Sequence, residues 1–177
     1  MKTKNIKEKI KEYFFQNPTE KLRVRQIERK LNLPLPSIIR YTKELQKEGI
    51  LKKLEVSKVN FYSAYRISKE FLIEKKLYNI KILFYSELVS YLIEKYHNPL
   101  IIIFGSFSKG EDIESSDIDM YIETQKKEEF DLNKFENILN RKIQIFNYKN
   151  INEIKNKELS NNIINGIILN GFLEVFK

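Results

Sequence analysis

Apolar residues recur at helical spacing three times in the first third of the chain. The spacing predicts helices over residues 5–15, 24–31 and 36–49, because one face of a helix returns every three or four positions. A proline-containing turn follows each of the first two patterns, and proline does not continue a helix. The inward positions of the third helix are Ile38, Leu45 and either Tyr41 or Thr42.

Two segments of alternating polar and apolar residues follow the third helix. They predict strands over residues 51–55 and 61–67, joined as a hairpin around residues 57–60. Three helices and a hairpin in this order, together with the segment PSIIRYTKELQKEGILKK, resemble the winged helix-turn-helix family. In that family such a segment holds the recognition helix and the first strand of the wing.

This resemblance implies DNA binding by the N-terminal part. The third helix would enter a major groove, and basic residues of the second helix and the wing would contact phosphates. An alternative is that the domain keeps the fold and uses it to bind protein. The residues expected to face the groove are Ser37, Ile39, Arg40 and Lys43, and those expected at phosphates are Arg23, Arg25 and Lys58.

Charge is distributed unevenly along the chain. Residues 1–68 hold 17 Lys and Arg against 7 Glu, a net charge of +10, whereas the remainder holds 15 against 17, a net charge of -2. A basic half beside a nearly neutral one indicates a polyanion partner for the N-terminal part. A general preference of the sequence for Lys, Ile and Asn would give a similar excess, so the charge supports the DNA hypothesis without deciding it.

Residues 68–96 form a long stretch of helical periodicity. A break is predicted near Tyr78-Asn79, and the single histidine, His97, is predicted at the helix end. An apolar stripe of this kind packs on its own domain, and its length also suits a homodimer reading a two-fold DNA site. The stripe comprises Leu77, Ile80, Leu83, Phe84, Leu88, Leu92 and Tyr96.

The most informative stretch is IIIFGSFSKGEDIESSDIDMYI, residues 101–122. Residues 100–104 predict a short buried strand that ends at Gly105. Glycine lets the backbone approach a ligand closely, Ser106 offers a hydroxyl to a phosphate oxygen, and Ser108 is predicted to start a helix. The end of this strand is therefore predicted to hold phosphate.

Two aspartates follow in a second predicted strand. Asp117 and Asp119 lie on one face of it, with Ile118 and Met120 on the other, so the carboxylates are roughly 7 Å apart. Like charges held this close favour a hard divalent cation, and Mg²⁺ is commonly bound by one or two carboxylates plus substrate phosphates. The alternative is a polar surface hairpin whose aspartates only cap turns.

The Gly105-Ser106 pair, ten further residues and then Asp117-x-Asp119 resemble the signature of the DNA polymerase beta-like nucleotidyltransferases. The segment SFSKGEDIESSDID most resembles the small prokaryotic members of this family, the minimal nucleotidyltransferases. The resemblance implies that Asp117 and Asp119 are catalytic and hold Mg²⁺ on a nucleoside triphosphate, ATP being the expected one, and that Gly105, Ser106 and Lys109 bind its phosphates. It also implies transfer of the nucleotide to a hydroxyl acceptor, such as a protein that becomes adenylated.

The remaining patterns complete the predicted fold. A polar loop over residues 124–131 precedes a helix, a third strand over 142–147, a helical segment over 151–165 and an apolar end over 167–176. The apolar positions of that first helix are Leu132, Phe135, Ile138 and Leu139. The predicted fold class is α+β, with a winged helix-turn-helix over 1–68, a connecting helical segment over 69–97 and a small mixed-sheet α/β nucleotidyltransferase-like domain over 98–177.

One position departs from the nucleotidyltransferase pattern. The third strand of that family supplies a third carboxylate, and the matching residue here is Gln144, which cannot act as a base at neutral pH. Three explanations stay open: the activity is weak or lost, another carboxylate such as Glu123 or Asp131 replaces it, or two aspartates suffice because phosphoryl transfer depends mainly on positioning and charge.

Composition limits the remaining functional classes. The chain has no cysteine, which excludes disulfides and fits a cytoplasmic setting, and no apolar run reaches membrane-spanning length. Two alternative functions use the same residues: a DNA-binding regulator whose nucleotidyltransferase-like domain only senses nucleotide or dimerises, and nucleotide addition to an RNA end. The short chain leaves little room for the primer-binding domain that the RNA activity requires.

Overall fold

A computed structural model describes residues 5–125 and 131–175. The chain divides into two compact units, residues 1–78 and 79–177, and each is described by itself. The proposed division at residues 68 and 97 stays a prediction.

The first unit contains the predicted helices and hairpin in the predicted order. Thr42, rather than Tyr41, takes the buried position of the third helix, where its hydroxyl donates to the Ile38 carbonyl at 2.7 Å. That the unit is a winged helix-turn-helix remains a prediction, although its elements agree with one. The elements are α1 (Ile6–Gln16), α2 (Val24–Leu31), α3 (Leu35–Lys47), β1 (Leu51–Val56) and β2 (Val59–Ala64).

The hairpin turn is tighter than predicted. Ser57 and Lys58 alone connect β1 to β2, and both have positive φ angles, 50° and 61°. Two consecutive left-handed residues form the two-residue turn whose twist matches that of paired strands. The strands are therefore in register from Leu51 opposite Ala64 to the turn itself, and Lys58 stands exposed at its tip.

The long helical stretch is interrupted later than predicted. Helix α4 (Lys69–Tyr85) continues through Tyr78 and Asn79, and the break falls at Glu87, whose φ of 65° is left-handed, before α5 (Leu88–Lys95). The predicted stripe is consequently not one continuous buried face. Of its members, Leu83, Leu88, Leu92 and Tyr96 are buried, whereas Leu77 and Phe84 are exposed.

A four-stranded sheet organises the second unit. Its order is β5-β4-β3-β6, with β3 antiparallel to β4 and β6, and β4 parallel to β5. The small mixed sheet predicted from the sequence is thus confirmed. The strands are β3 (Leu100–Phe104), β4 (Ile118–Glu123), β5 (Ile143–Tyr148) and β6 (Ile167–Asn170).

Short helices connect these strands. The predicted helix after β4 is present, but its Ile138 is exposed rather than inward. Residues 126–130 of the predicted polar loop, and Phe176 at the apolar end, lie outside the described residues. In the described ranges no helix has both the length and the hydropathy needed to cross a bilayer. The connecting elements are α6 (Gly105–Lys109), α7 (Asn133–Leu139), a 3-10 helix (Ile151–Glu153) and α8 (Lys157–Ile164).

Both faces of the sheet are covered, and the alternation of β4 decides where its aspartate lies. Ile118, Met120 and Ile122 point into the core that contains α5 and α7. Tyr121 points to the opposite face, into the core that contains Ile151, Ile154 and Ile163. Because side chains alternate along a strand, Asp119 lies on the face of Tyr121, at the end of the strand where that core stops.

Candidate active site

The Gly-Ser turn and the second aspartate are in direct contact. Phe104, the last residue of β3, pairs with Asp119 in register, and Gly105 follows with a φ of +70°. A Cβ atom at position 105 would lie closer to Asp119 Oδ2 than van der Waals contact allows. Position 105 therefore needs glycine both for its left-handed backbone and for the carboxylate beside it.

Helix α6 begins at Gly105, so the prediction that Ser108 starts a helix is wrong. Ser108 is buried inside the turn, where its hydroxyl donates to the Gly105 carbonyl at 2.9 Å, an interaction that serine makes readily within helices. Ser106 is partly buried and Lys109 is exposed at the last residue of α6. A helix of five residues has a small dipole, so any anion here would be held by individual N–H, hydroxyl and ammonium groups.

The two aspartates differ in exposure. Asp117 is exposed and precedes β4, whereas Asp119 is partly buried within it. Burial, and then the negative charge of Asp117, raises the pKa of the Asp119 carboxyl above its ordinary value. Within residues 5–125 and 131–175 neither carboxylate forms an ion pair. A cation bound between them would relieve both effects.

The two carboxylates fit a Mg²⁺ ion that is shared with a substrate. The described part of the chain has no cluster of three or more His, Cys, Asp or Glu residues that could hold a metal alone. Two carboxylates with substrate phosphates are nevertheless a common donor set for Mg²⁺. The residues present therefore fit a metal that binds together with a nucleotide better than a metal that binds by itself.

Gln144 is in the position predicted for it. The parallel pairing of β4 with β5 sets Asp119 directly opposite Gln144, which is exposed. Glu123, one alternative carboxylate, is four residues further along β4, roughly 13 Å away, and it accepts a hydrogen bond from the Tyr121 hydroxyl at 3.0 Å. Asp131, the other alternative, accepts from the Asn133 N–H at the start of α7. The structure thus pairs Asp119 with the residue expected at the third-carboxylate position, and Glu123 and Asp131 each accept a hydrogen bond from another group.

A buried polar network that the sequence did not reveal supports α6. The Asn79 side-chain amide donates to the Phe107 carbonyl at 2.9 Å and to Asp112 Oδ1 at 2.7 Å. Arg141 Nη2 lies 3.7 Å from Asp112 Oδ2, and all three polar side chains are buried. The network joins α4, α6, the loop before β4 and Arg141, which precedes β5. The sequence signal for this network is a lone asparagine among apolar helix positions, a pattern that by itself predicts a helix break.

Asn79→Leu is expected to lower the free energy of unfolding by about 2 kcal/mol, because the Phe107 carbonyl and Asp112 would each lose the hydrogen bond that the buried Asn79 amide donates. Chemical denaturation of the full chain measures the change. Lys81→Leu, an exposed substitution on the same helix, is the matched control and should shift stability by less than about 0.5 kcal/mol. Equal stability of the two variants would show that the Asn79 hydrogen bonds contribute nothing.

A polar pocket of about 350 Å³ lies next to Asp117. It is formed by the loop before β4, by one face of α7 and by the two residues that precede β5. At its edge, Glu136 is engaged by Lys142 Nζ at 2.6 Å and by the Ile143 N–H at 3.0 Å. The lining residues are Glu114, Ser115, Ser116, Asp117, Asn133, Glu136, Asn137, Asn140, Arg141 and Lys142.

The residues expected at DNA lie on α2, α3 and the hairpin of the first unit. Arg40 is exposed, pairs with Glu44 at 2.8 Å and stacks over the Tyr41 ring at 5.2 Å. Arg23 stacks over the Phe61 ring at 5.1 Å. Ser37 is partly buried, and the exposed members of the set are Arg23, Arg25, Ile39, Arg40, Lys43 and Lys58.

The comparisons with known proteins concern the second unit. No curated protein and no solved structure matches the chain. Residues 86–170 match the family model described as polymerase beta, nucleotidyltransferase, and this segment contains the Gly-Ser turn, both aspartates, Gln144 and all four strands of the sheet. The prediction of a nucleotidyltransferase domain is thereby supported for residues 86–170, which are similar to the nucleotidyltransferases of the polymerase beta family.

Proposed function

We propose that the second unit transfers a nucleoside monophosphate from a nucleoside triphosphate, ATP being the expected one, to a hydroxyl acceptor in the presence of Mg²⁺. The observation that carries the proposal is the contact of Gly105 with Asp119. It brings a backbone turn suited to phosphate directly against a carboxylate suited to the metal. The similarity of residues 86–170 to nucleotidyltransferases supports the same reaction class.

Each residue of the site has a distinct part in this mechanism. Gly105 and Ser106 would bind the terminal phosphates through N–H and hydroxyl groups, and Lys109 would balance their charge. Asp117 and Asp119 would hold Mg²⁺, which neutralises charge on the phosphates when bound. Gln144 can orient a hydroxyl through its amide but cannot accept a proton, so the proton of the attacking hydroxyl leaves to water.

The reaction can be tested by following two phosphorus labels. The full chain is incubated with Mg²⁺ and a small-molecule and protein extract, with ATP labelled either at the α or at the γ phosphate. Nucleotidyl transfer predicts label in a product from α-labelled ATP only, because the β and γ phosphates leave as pyrophosphate. Label from γ-labelled ATP would identify phosphoryl transfer instead, and no label from either would contradict the proposal.

Gln144 favours a second candidate, a nucleotide-binding domain that does not transfer. If the missing third carboxylate limits the reaction, Gln144→Asp should raise transfer from α-labelled ATP at least about tenfold, since a positioned base typically contributes 10²–10⁴-fold. Gln144→Asn, which keeps the amide and shortens the side chain as much, is the matched control and should give no increase. Measurable transfer that is equal in wild type and Gln144→Asp would show that two aspartates suffice.

We propose that the first unit binds DNA. The support is the net charge of +10 in residues 1–68 and the exposure of basic side chains on α2, α3 and the hairpin turn. The ion pair of Arg40 with Glu44 is exposed, so its loss on binding phosphate costs little.

Arg40→Ala/Lys43→Ala should weaken DNA binding at least about tenfold at low salt and lower the salt slope by about two, because two phosphate or base contacts are removed. Fluorescence anisotropy over a series of salt concentrations measures both. Lys9→Ala/Lys76→Ala removes the same charge from exposed positions outside the proposed interface and should weaken binding less. If the two double variants behave alike, overall charge explains the binding and α3 has no special part.

A further inference from the structure

We propose that the polar pocket beside Asp117 binds the acceptor of the transferred nucleotide, and that this acceptor is a neutral polyhydroxylated small molecule. The inference rests on the proposed function, because it assigns the second substrate of the same site. Nothing in the family match specifies this acceptor, so the assignment depends on the position and chemistry of the pocket.

The position of the pocket matches the side from which an acceptor must approach. Strand β4 lies between β3 and β5, and helix α6 follows β3 directly, whereas the pocket is lined by α7 and by the residues that precede β5. In an in-line displacement the attacking and leaving oxygens lie on opposite sides of the phosphorus. With the terminal phosphates at α6, the attacking oxygen comes from the side of the pocket.

The pocket offers hydrogen bonds of both kinds. Asn133, Asn137 and Asn140 are spaced by four and three residues along α7 and its cap, so their side chains share one face. None of these three amide groups has a hydrogen-bond partner among residues 5–125 and 131–175. Each amide can donate and accept, as a hydroxyl does, and a row of amides therefore suits a row of hydroxyls.

The charges of the lining disfavour an anionic acceptor. Its two cations are already engaged, Arg141 near Asp112 at 3.7 Å and Lys142 with Glu136 at 2.6 Å. The lining has three carboxylates against these two cations. A phosphorylated molecule or a nucleic-acid end would add negative charge beside Asp117, at a cost that like charges impose.

The lining also disfavours a polypeptide acceptor. Binding energy at protein interfaces is concentrated in aromatic or aliphatic anchors that fill apolar pockets. All ten residues that line this pocket are polar, so it has no place for such an anchor. Recognition by hydrogen bonds alone fits a compact molecule whose own surface is covered with hydroxyl groups.

The step balances without a further reactant. One acceptor hydroxyl oxygen forms a bond to the α phosphorus, the bond from that phosphorus to the bridging oxygen breaks, and pyrophosphate leaves with the electron pair. The hydroxyl proton passes to water, because Gln144 cannot take it. The products are a nucleotidylated polyol and pyrophosphate.

The inference can be tested by nuclear magnetic resonance of the nitrogen-labelled full chain. Glucose, mannose, myo-inositol and glycerol are titrated separately, with and without Mg²⁺ and a non-hydrolysable ATP analogue. At least one is expected to shift the side-chain amide resonances of Asn133, Asn137 and Asn140 while those of Asn162, exposed on α8, stay unchanged. Asn137→Leu should weaken that binding about fivefold or more, and Asn137→Gln should restore part of it.

Separate readouts keep this inference distinct from the proposed function. Titration calorimetry of the ATP analogue should give the same affinity for wild type and Asn137→Leu, since the amide is assigned to the acceptor. Nucleotide binding without any polyol-induced shift of the three amides would overturn the inference and leave the proposed function intact. Label from α-labelled ATP recovered only in protein would also overturn it, by identifying a polypeptide acceptor, whereas absence of nucleotide binding would count against the proposed function itself.

Discussion

Asp117→Asn/Asp119→Asn is expected to abolish Mg²⁺-dependent binding of a non-hydrolysable ATP analogue, with a loss of affinity of at least about 100-fold. The double variant removes both carboxylates that can hold the metal, and the described residues contain no other cluster that could do so. Neutral amide oxygens bind Mg²⁺ far more weakly than carboxylates. Isothermal titration with and without Mg²⁺ measures the loss, and wild type should bind strongly only in its presence.

Two controls separate lost binding from lost folding. Asp131→Asn makes the same chemical change at an exposed residue that accepts a hydrogen bond from the Asn133 N–H, a contact that an asparagine carbonyl can also make, and should bind the analogue as wild type does. Without metal, the double variant should be as stable as wild type or slightly more so. The pKa of Asp119 is higher in the folded state than in the unfolded chain. Above the unfolded pKa, the negative charge of Asp119 therefore destabilises the folded state, and removing that charge should increase the free energy of unfolding. If the double variant binds the analogue as tightly as wild type, the two aspartates do not take part in nucleotide binding.

Gly105→Ala is expected to lower both stability and nucleotide affinity. The left-handed φ of +70° disfavours alanine by about 1–2 kcal/mol. The added methyl group would also push against Asp119 Oδ2, so the carboxylate must turn away from the Gly-Ser turn. We therefore expect nucleotide affinity to fall by at least about tenfold, as calorimetry can measure, beyond what partial unfolding explains.

Gly49→Ala is the matched control for that substitution. Gly49 has a similar φ of +74°, and its added methyl group would meet the Ser68 hydroxyl at 3.0 Å, in the first unit and outside the candidate active site. It should therefore lose a comparable amount of stability while nucleotide affinity stays unchanged. If Gly105→Ala loses stability but keeps full affinity, the contact with Asp119 has no part in binding.

The first five strands can be predicted from the sequence because their patterns are local, whereas residues 167–170 show only an apolar pattern there and form β6 in the structure. A run such as residues 100–104 is buried on both faces, and the alternation of residues 118–122 is visible in the sequence itself. The pairing of Asp119 with Gln144 is found in the structure, whereas in the sequence Gln144 is marked only by the resemblance to the nucleotidyltransferase pattern. The register of a strand follows from which face must be buried, and the apolar positions of the strand indicate that face.

The missed features depend on partners that are distant in sequence. Leu77, Phe84 and Ile138 continue helical apolar patterns but are exposed, because burial depends on which element packs against each turn. Asn79 is helical because its amide has buried acceptors 28 and 33 residues away, whereas local preference would place asparagine at a helix end. The left-handed Glu87 that breaks the stretch carries no local signal either.

The position of Asn79 also bears on where the second unit can be cut. A fragment starting at residue 86, where the family match begins, would retain the Gly-Ser turn and both aspartates. It would lack Leu83, which is fully buried in the core against the sheet, and the amide that binds the Phe107 carbonyl and Asp112. The segment that matches the family model is thus shorter than the segment that packs around the sheet, and an isolated second unit needs the second half of α4.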